Sequence, residues 1–315
     1  MLLAIIGAGI SGLACADVLS ANGIDVVLFE KSRGAGGRIS TRRIETQADV
    51  VALDHGAQYF TARTPLFRAQ VDAWAALGLA ARWEEAGAHA WVGRPSMTAP
   101  VKHMAGHHTV EFQRHIYGIL RNDRKWWLQD QSRMEGPFDG VAVALPAEQS
   151  IPFLGMHDLS MARTAISARS QPCWTTMVVF DRRLEIKPNL IRDSGLIAWA
   201  CRNSAKPGRC GPESWVIQAS GAWSAANLEM DAKCVAQTLL DALLDQCHGA
   251  MSPNVTSVTA HRWRYAMTRG TDEGALWNSD LGLGACGDWL LGPRVELAWL
   301  SGRMLGERIS SQPRI

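Results

Sequence analysis

The chain has no excess of either charge: 32 basic residues stand against 30 acidic ones among 315. A nucleic-acid or anionic membrane partner would favour a basic excess, so neither is expected. No apolar run approaches the roughly 20 residues of a membrane-crossing helix. The first apolar run, Leu2 to Ile6, is too short for a secretory core. The seven cysteines are odd in number and include no C-x-x-C. A disulfide scaffold is therefore not expected, and a reduced, cytoplasmic protein is the simple reading. Tyrosine is scarce, with 3 residues beside 13 tryptophans, most of which are expected in cores or at domain interfaces. The length suits about two domains.

What is present begins at once. Leu2 to Ile6 reads as a strand buried on both faces, and Gly7, Gly9 and Gly12 follow as G-x-G-x-x-G, with helical spacing from Leu13 to Ser20. Gly7 permits the tight turn, Gly9 lets the backbone approach a pyrophosphate, and Gly12 lets the helix sit close to the sheet. A pyrophosphate would rest on the free N–H groups at the positive helix end, with Ser11 beside it. Ile24 to Phe29 is the next strand, and Glu30 at its end is placed to accept from the adenosine ribose hydroxyls.

Lys31 to Arg43 holds three glycines and five basic residues, a loop whose backbone and Arg38 suit a second phosphate contact. This Gly-Gly-Arg loop resembles the FAD-binding domain of the amine oxidase and aromatic hydroxylase superfamily. So does Leu53-Asp-His-Gly-Ala-Gln-Tyr-Phe60, where a glycine backbone passes the flavin ring. Pro65 to Leu79 reads as an amphipathic helix and Trp91 to Met97 as a turn-rich stretch. His103, His107 and His108 read as a surface loop, with no metal site expected. Thr109 to Gln129 reads as an antiparallel meander, and Val141 to Leu145 as a return to the first sheet. Trp174 to Phe180, Leu196 to Cys201 and Ser214 to Ala219 read as an antiparallel sheet, followed by a helix over Asp231 to Cys247.

Near the end, Leu281 to Asp288 reads as a glycine-rich strand, followed by Gly292-Pro-Arg-Val-Glu296 and a helix to Ile309. Asp288 suits the ribityl hydroxyls, and the helix start at Val295 and Glu296 can direct N–H groups at the flavin pyrimidine. The opening alone leaves NAD and FAD open; the two ends together point to FAD.

Taken whole, the chain resembles the bacterial renalases, through Phe29 to Arg38, Leu53 to Arg63, Trp91 to Met97, Trp199 to Arg209, Ser214 to Ser220, His261 to Ala266 and Gly292 to Glu296. It departs from them at Leu297, where related sequences often carry glycine. The resemblance implies an α/β fold of the p-hydroxybenzoate hydroxylase type. A Rossmann-type βαβ domain (1–64, 98–150 and 250–315) would carry an inserted antiparallel-sheet substrate domain (65–97 and 151–249). It implies non-covalent FAD, oxidation of 2-dihydro- and 6-dihydro-NAD(P) to NAD(P)⁺, and reoxidation by O₂ to hydrogen peroxide. Beyond Gly7, Gly9, Ser11, Gly12 and Glu30, the expected cofactor contacts are Lys31, Gly37, Arg38, Gly56, Ala57, Gln58, Ile116, Asp288, Val295 and Glu296.

A dihydronicotinamide already carries a transferable hydride, so no catalytic base is expected, and His55 and His261 are positioning residues. Amine oxidases of the superfamily place an aromatic ring two residues before the C-terminal glutamate. Arg294 stands there instead, repelling an ammonium and suiting a carboxamide or phosphate, with Trp263 and Tyr265 as an apolar wall. An amine or polyamine oxidase is the competing reading, and a non-catalytic redox-sensing flavoprotein a third.

Overall fold

The computed structural model describes residues 1–46, 50–247 and 253–312. The chain divides into two compact units, Met1–Ile39 with Pro100–Ser170 and Thr268–Ile315, and Ser40–Ala99 with Gln171–Met267.

The first unit is built on a six-stranded sheet in the order Leu276–Asn278, Leu283–Ala285, Gly140–Val143, Leu2–Ile6, Asp25–Glu30, Thr109–Phe112. Leu2–Ile6 pairs in parallel with Asp25–Glu30 on one side and Gly140–Val143 on the other, so it is central and apolar on both faces. The opening helix Ile10–Ala21 and the closing helix Val295–Ser310 lie against each other. Glycine makes their approach possible. A Cβ on Gly302 would fall 1.9 Å from the Ser11 carbonyl oxygen, and one on Gly306 2.7 Å from Val18 Cβ.

The second unit carries a five-stranded sheet, in the order Leu190–Ser194, Ile197–Arg202, Ser214–Ala219, Ser170–Phe180, Val255–Thr268. Helix Ala232–Leu244 closes one core with Val235, Leu239, Leu240 and Leu243 beside Trp215 and Ile217. A hairpin, Thr41–Glu45 and Val50–Asp54, and a small three-stranded sheet with helix Pro65–Ala76 complete it.

The mixed α/β fold, a Rossmann-type parallel sheet with separate antiparallel sheets, is as the sequence suggests. Its partition differs in detail. Residues 40–64 belong to the second unit, not the first, because buried Asp54 is bonded there by Lys206 and Arg209. Residues 151–170 belong to the first, where Phe153, Leu154, Met161 and Ala165 join the core of Val141 and Val143. Strand Val255–Thr268 borders the five-stranded sheet, placing 255–267 in the second unit; the expected limit at 249/250 lies outside the described residues. Thr109–Phe112 does not start a meander but pairs in parallel with Asp25–Glu30. An edge strand with one wet face alternates whichever way it runs, so its pattern misleads. The antiparallel meander starts instead at Gly118–Asn122, which pairs with Lys125–Gln129, and that strand pairs in turn with Met134–Phe138. Strand Ala90–Gly93, held on both sides, overlaps the start of the stretch expected to be turn-rich, and turns follow only from Arg94. His103 lies in helix Ala99–Ala105, whereas His107 and His108 lie in the turn after it, as expected, with His108 bonded to Asp17 at 2.7 Å.

Candidate functional site

In the first unit the chain leaves Ile6 through Gly7 at φ +107°, where a Cβ would meet the Ala144 carbonyl oxygen at 2.6 Å. A Cβ on Gly12 would meet the Gly7 oxygen at 2.1 Å. Above Gly9 a Cβ meets nothing within 4 Å, so the space beside its backbone is open. Gly9 caps the helix without a side-chain hydrogen bond, and no acidic residue occupies the first turn. Among the described residues Ser11 Oγ is buried there without a hydrogen-bond partner. Unpartnered helical N–H groups, an orphaned hydroxyl and open space over glycine fit a pyrophosphate. Glu30 accepts from Ala8 N (3.0 Å) and Ser32 N (2.8 Å), which fixes a carboxylate with acceptor capacity left for ribose hydroxyls. Gly36 N donates to Ala8 O at 3.0 Å, laying the glycine loop, Gly37 included, against this turn.

The other expected contacts scatter more. Arg38 and Asp288 do not stand apart; they form a two-pronged pair with bonds of 2.8 and 2.6 Å. Lys31 is exposed, and Ile116 is buried in the core cluster that includes Phe29. Arg294 caps the closing helix at its N-terminus, its Nη1 3.9 Å from Glu296 Oε2, too long for a hydrogen bond. Glu296 is buried in the first turn and Val295 half-buried. Arg114 was not anticipated. Its N–H donates to Glu30 O at 2.9 Å, its guanidinium lies 5.5 Å from the Phe29 ring centroid, and Asp130, Glu111 and Glu135 hold it. Nothing in its local sequence marks it, because its partners come from three separate strands or turns.

In the second unit, His55, His261 and Trp263 form one cluster. The His55 ring stacks on Trp263 at 5.2 Å and meets His261 edge-on at 5.0 Å. Trp263 Nε1 donates to His55 O at 2.8 Å, and Tyr265 follows two residues on along the same strand. Burial, then the charges of His261 and Arg42, pushes the His55 imidazole down to about 3; burial and Arg42 also lower His261. Among the described residues His55 Nδ1 is buried without a hydrogen-bond partner. A neutral imidazole is what this arrangement supports, and it is a poor proton store at neutral pH.

Below this cluster the backbone from His55 to Gln58 is tied down. Gln58 Nε2 donates to Asp54 O and Gly56 O, and Gln218 Nε2 reaches Gly56 O at 3.0 Å, with Ala57 half-buried between them in sequence. Gln58 Oε1 accepts from Lys206 Nζ at 3.2 Å, and Lys206 and Arg209 both bond Asp54 Oδ2. Lys206 and Asp54 are wholly inaccessible to solvent. Burial works against the Asp54 carboxylate, but Lys206 and Arg209 outweigh it and hold the group below its usual range. The Asn-Ser-Ala-Lys-Pro-Gly-Arg stretch thus exists to seat Asp54. Its signal was visible as two cations around a glycine turn, but not the partner they serve.

The His55 findings carry a prediction. The folded imidazole resists protonation, whereas the unfolded one protonates below about 6.5. Its stabilising contribution is therefore complete above that value and falls away as the pH drops towards 3. The His55 C2–H proton NMR signal should show no titration step between roughly pH 5 and 8. A step near 6.5 would contradict the buried neutral state.

The parallel sheet, glycine turn and terminal carboxylate define a dinucleotide-binding α/β fold. Residues 5–73 match the NAD(P)-binding Rossmann-like domain family. Several solved structures share the architecture over nearly the full chain. A protein assigned as a protoporphyrinogen oxidase from Exiguobacterium sp. 255-15 has a TM-score of 0.76 at 13% identity, covering 98% of both chains. Cyclohexylamine oxidase from Brevibacterium oxydans IH-35A has 0.67 at 13%, again covering 98% of both. A putrescine oxidase redesigned in its cofactor binding has 0.69 at 12%, covering 98% of this chain and 99% of that one. At such identities the likeness is one of fold. No helix among the described residues is long and apolar enough to cross a membrane.

Proposed function

We propose that this chain is an FAD-dependent oxidoreductase that oxidises isomeric dihydronicotinamide dinucleotides, 2-dihydro- and 6-dihydro-NAD(P), to NAD(P)⁺, with O₂ reduced to hydrogen peroxide. The observation that carries it is the stacked, neutral His55–Trp263 pair with His261 at its edge. These rings offer flat faces to a nicotinamide and no base poised to take a proton. The oxidase activities named for the neighbours in fold support the redox class. The small soluble partners are substrate and O₂, and a cytoplasmic setting accords with seven free thiols.

Gly7, Gly9, Ser11 and Gly12 would hold the pyrophosphate and Glu30 the adenosine ribose. Bound flavin supplies a hydride acceptor that O₂ can reoxidise. The protein's task is to orient the substrate ring and exclude proton-dependent chemistry. Cys286, the cysteine nearest in sequence to the Gly292–Glu296 stretch, is fully buried, which supports a non-covalent cofactor.

The test is anaerobic mixing of the yellow protein with 2-dihydro-NAD, 6-dihydro-NAD, NADH and a panel of mono- and polyamines. The two isomers should bleach the flavin rapidly and the others slowly or not at all. Bleaching by an amine alone would transfer the case to the amine oxidase reading. Acid precipitation of the same sample should leave the colour in the supernatant; a yellow pellet would mean a covalent link.

A further inference from the structure

Among the described residues, one arginine beside the His55 cluster makes no hydrogen bond or ion pair. The hairpin register pairs Arg42 with Leu53 and Thr41 with Asp54. Thr41 Oγ1 bonds Asp54 Oδ1 at 2.7 Å, so that pair occupies one face of the hairpin. Arg42, Leu53 and His55 therefore share the other face, since side chains alternate along a strand. Leu53 is completely buried and Arg42 exposed, as expected of a long side chain that can cover an apolar neighbour while its charged end stays in water. His55 N–H donates to Ser40 O at 3.1 Å, extending the pairing one step to the histidine. The charge of Arg42 is felt by both His55 and His261.

Other cations of the unit near this cluster are engaged. Arg262 and Arg264 both bond Glu229, and Lys206 and Arg209 both bond Asp54. Arg43 lies on the opposite hairpin face. Among the described residues Arg42 makes no hydrogen bond or ion pair, so all five guanidinium donors remain available. A cation held unpaired beside flat aromatic faces suits a ligand with a planar ring and an anionic arm. It disfavours an ammonium.

We infer that Arg42 is a positioning residue that anchors the pyrophosphate of the dinucleotide substrate while its ring lies against the His55–His261–Trp263 cluster. The inference rests on the proposed substrate class and adds the residue that recognises its charge. A guanidinium can take two phosphate oxygens at once, which a lysine ammonium cannot imitate.

Two measurements on the FAD-bound protein test this. In the first, inorganic pyrophosphate is titrated in while the C2–H proton signals of His55 and His261 are followed. Both signals should move in the wild type and stay still in Arg42→Gln. In the second, flavin reduction is timed with 6-dihydro-NAD and with 6-dihydronicotinamide riboside, which has no phosphate. Arg42→Gln should weaken dinucleotide binding about ten- to a hundredfold, as for loss of a charged hydrogen bond. Its limiting reduction rate should stay within about twofold, and its riboside kinetics should be unchanged. Arg42→Lys should recover only part of the affinity. Equal losses with both substrates, or loss of FAD from the variant, would overturn the inference, as would histidine signals that ignore pyrophosphate. If neither substrate reduces the flavin, the proposed reaction is wrong; the pyrophosphate titration still decides whether Arg42 is an anion anchor.

Discussion

Asp54→Ala should lower stability by roughly 3–5 kcal/mol, the usual result of removing one partner from a buried ion pair. The carboxylate takes bonds from Lys206, Arg209, Thr41 and the Met97 N–H, and removal strands two cations in the interior. Against a typical total of roughly 5–15 kcal/mol, that is a large share of the stability. Urea melts of the wild type and of Thr41→Val supply the scale. The latter loses one hydrogen bond, about 1 kcal/mol. If Asp54→Ala costs no more than Thr41→Val, the cations are not relying on it. The pH dependence has a definite sign. Since the folded carboxylate is held below its free value, its stabilisation is present above the free carboxylate range and lost as the pH falls through the folded one.

Gly302→Ala should be the most damaging small substitution in the closing helix. Overpacking a tight contact costs about 1–3 kcal/mol, and here the obstruction is backbone, which cannot rotate away. The displaced atom is the Ser11 carbonyl oxygen, in the first turn of the helix that presents the phosphate cradle. Both melting temperature and FAD retention should therefore fall together. Gly155→Ala is the control, since its added Cβ would meet only Ala162 Cβ, at 3.8 Å. It should be neutral or slightly stabilising, as alanine is the better helix former. Normal FAD content in Gly302→Ala would show that the two helices can separate without disturbing the cradle.

How far the sequence could be read follows from how local each signal is. The Gly7–Gly12 turn, Glu30 and the strands around them were legible because glycine spacing and apolar runs are written in consecutive residues. The antiparallel strands Ser170–Phe180, Ile197–Arg202 and Ser214–Ala219 were legible for the same reason. The parallel pairing of Thr109–Phe112 was not, because direction is set by the helix before it and not by its own four residues. Arg38 and Asp288 were each expected as cofactor contacts, but their mutual bond, which spans 250 positions, was not legible. The functional value of Arg42 was hidden too. An arginine in a basic loop looks solvated until the hairpin register shows which neighbour shares its face.

The strand order has a consequence for synthesis. Leu2–Ile6 needs Gly140–Val143 beside it, and that strand needs Leu283–Ala285. At roughly 5–20 residues per second, the last of these emerges from the ribosome tens of seconds after the first. Through that interval the opening helix has no Gly302 and Gly306 face to cover it, and an apolar strand waits with one edge unpaired. Long-range parallel pairing of this kind is slow to form and exposed to aggregation. A chain stopped before Leu283–Ala285 and the Gly302–Gly306 face should therefore aggregate more readily than the longer chain, which a solubility comparison of the two would check.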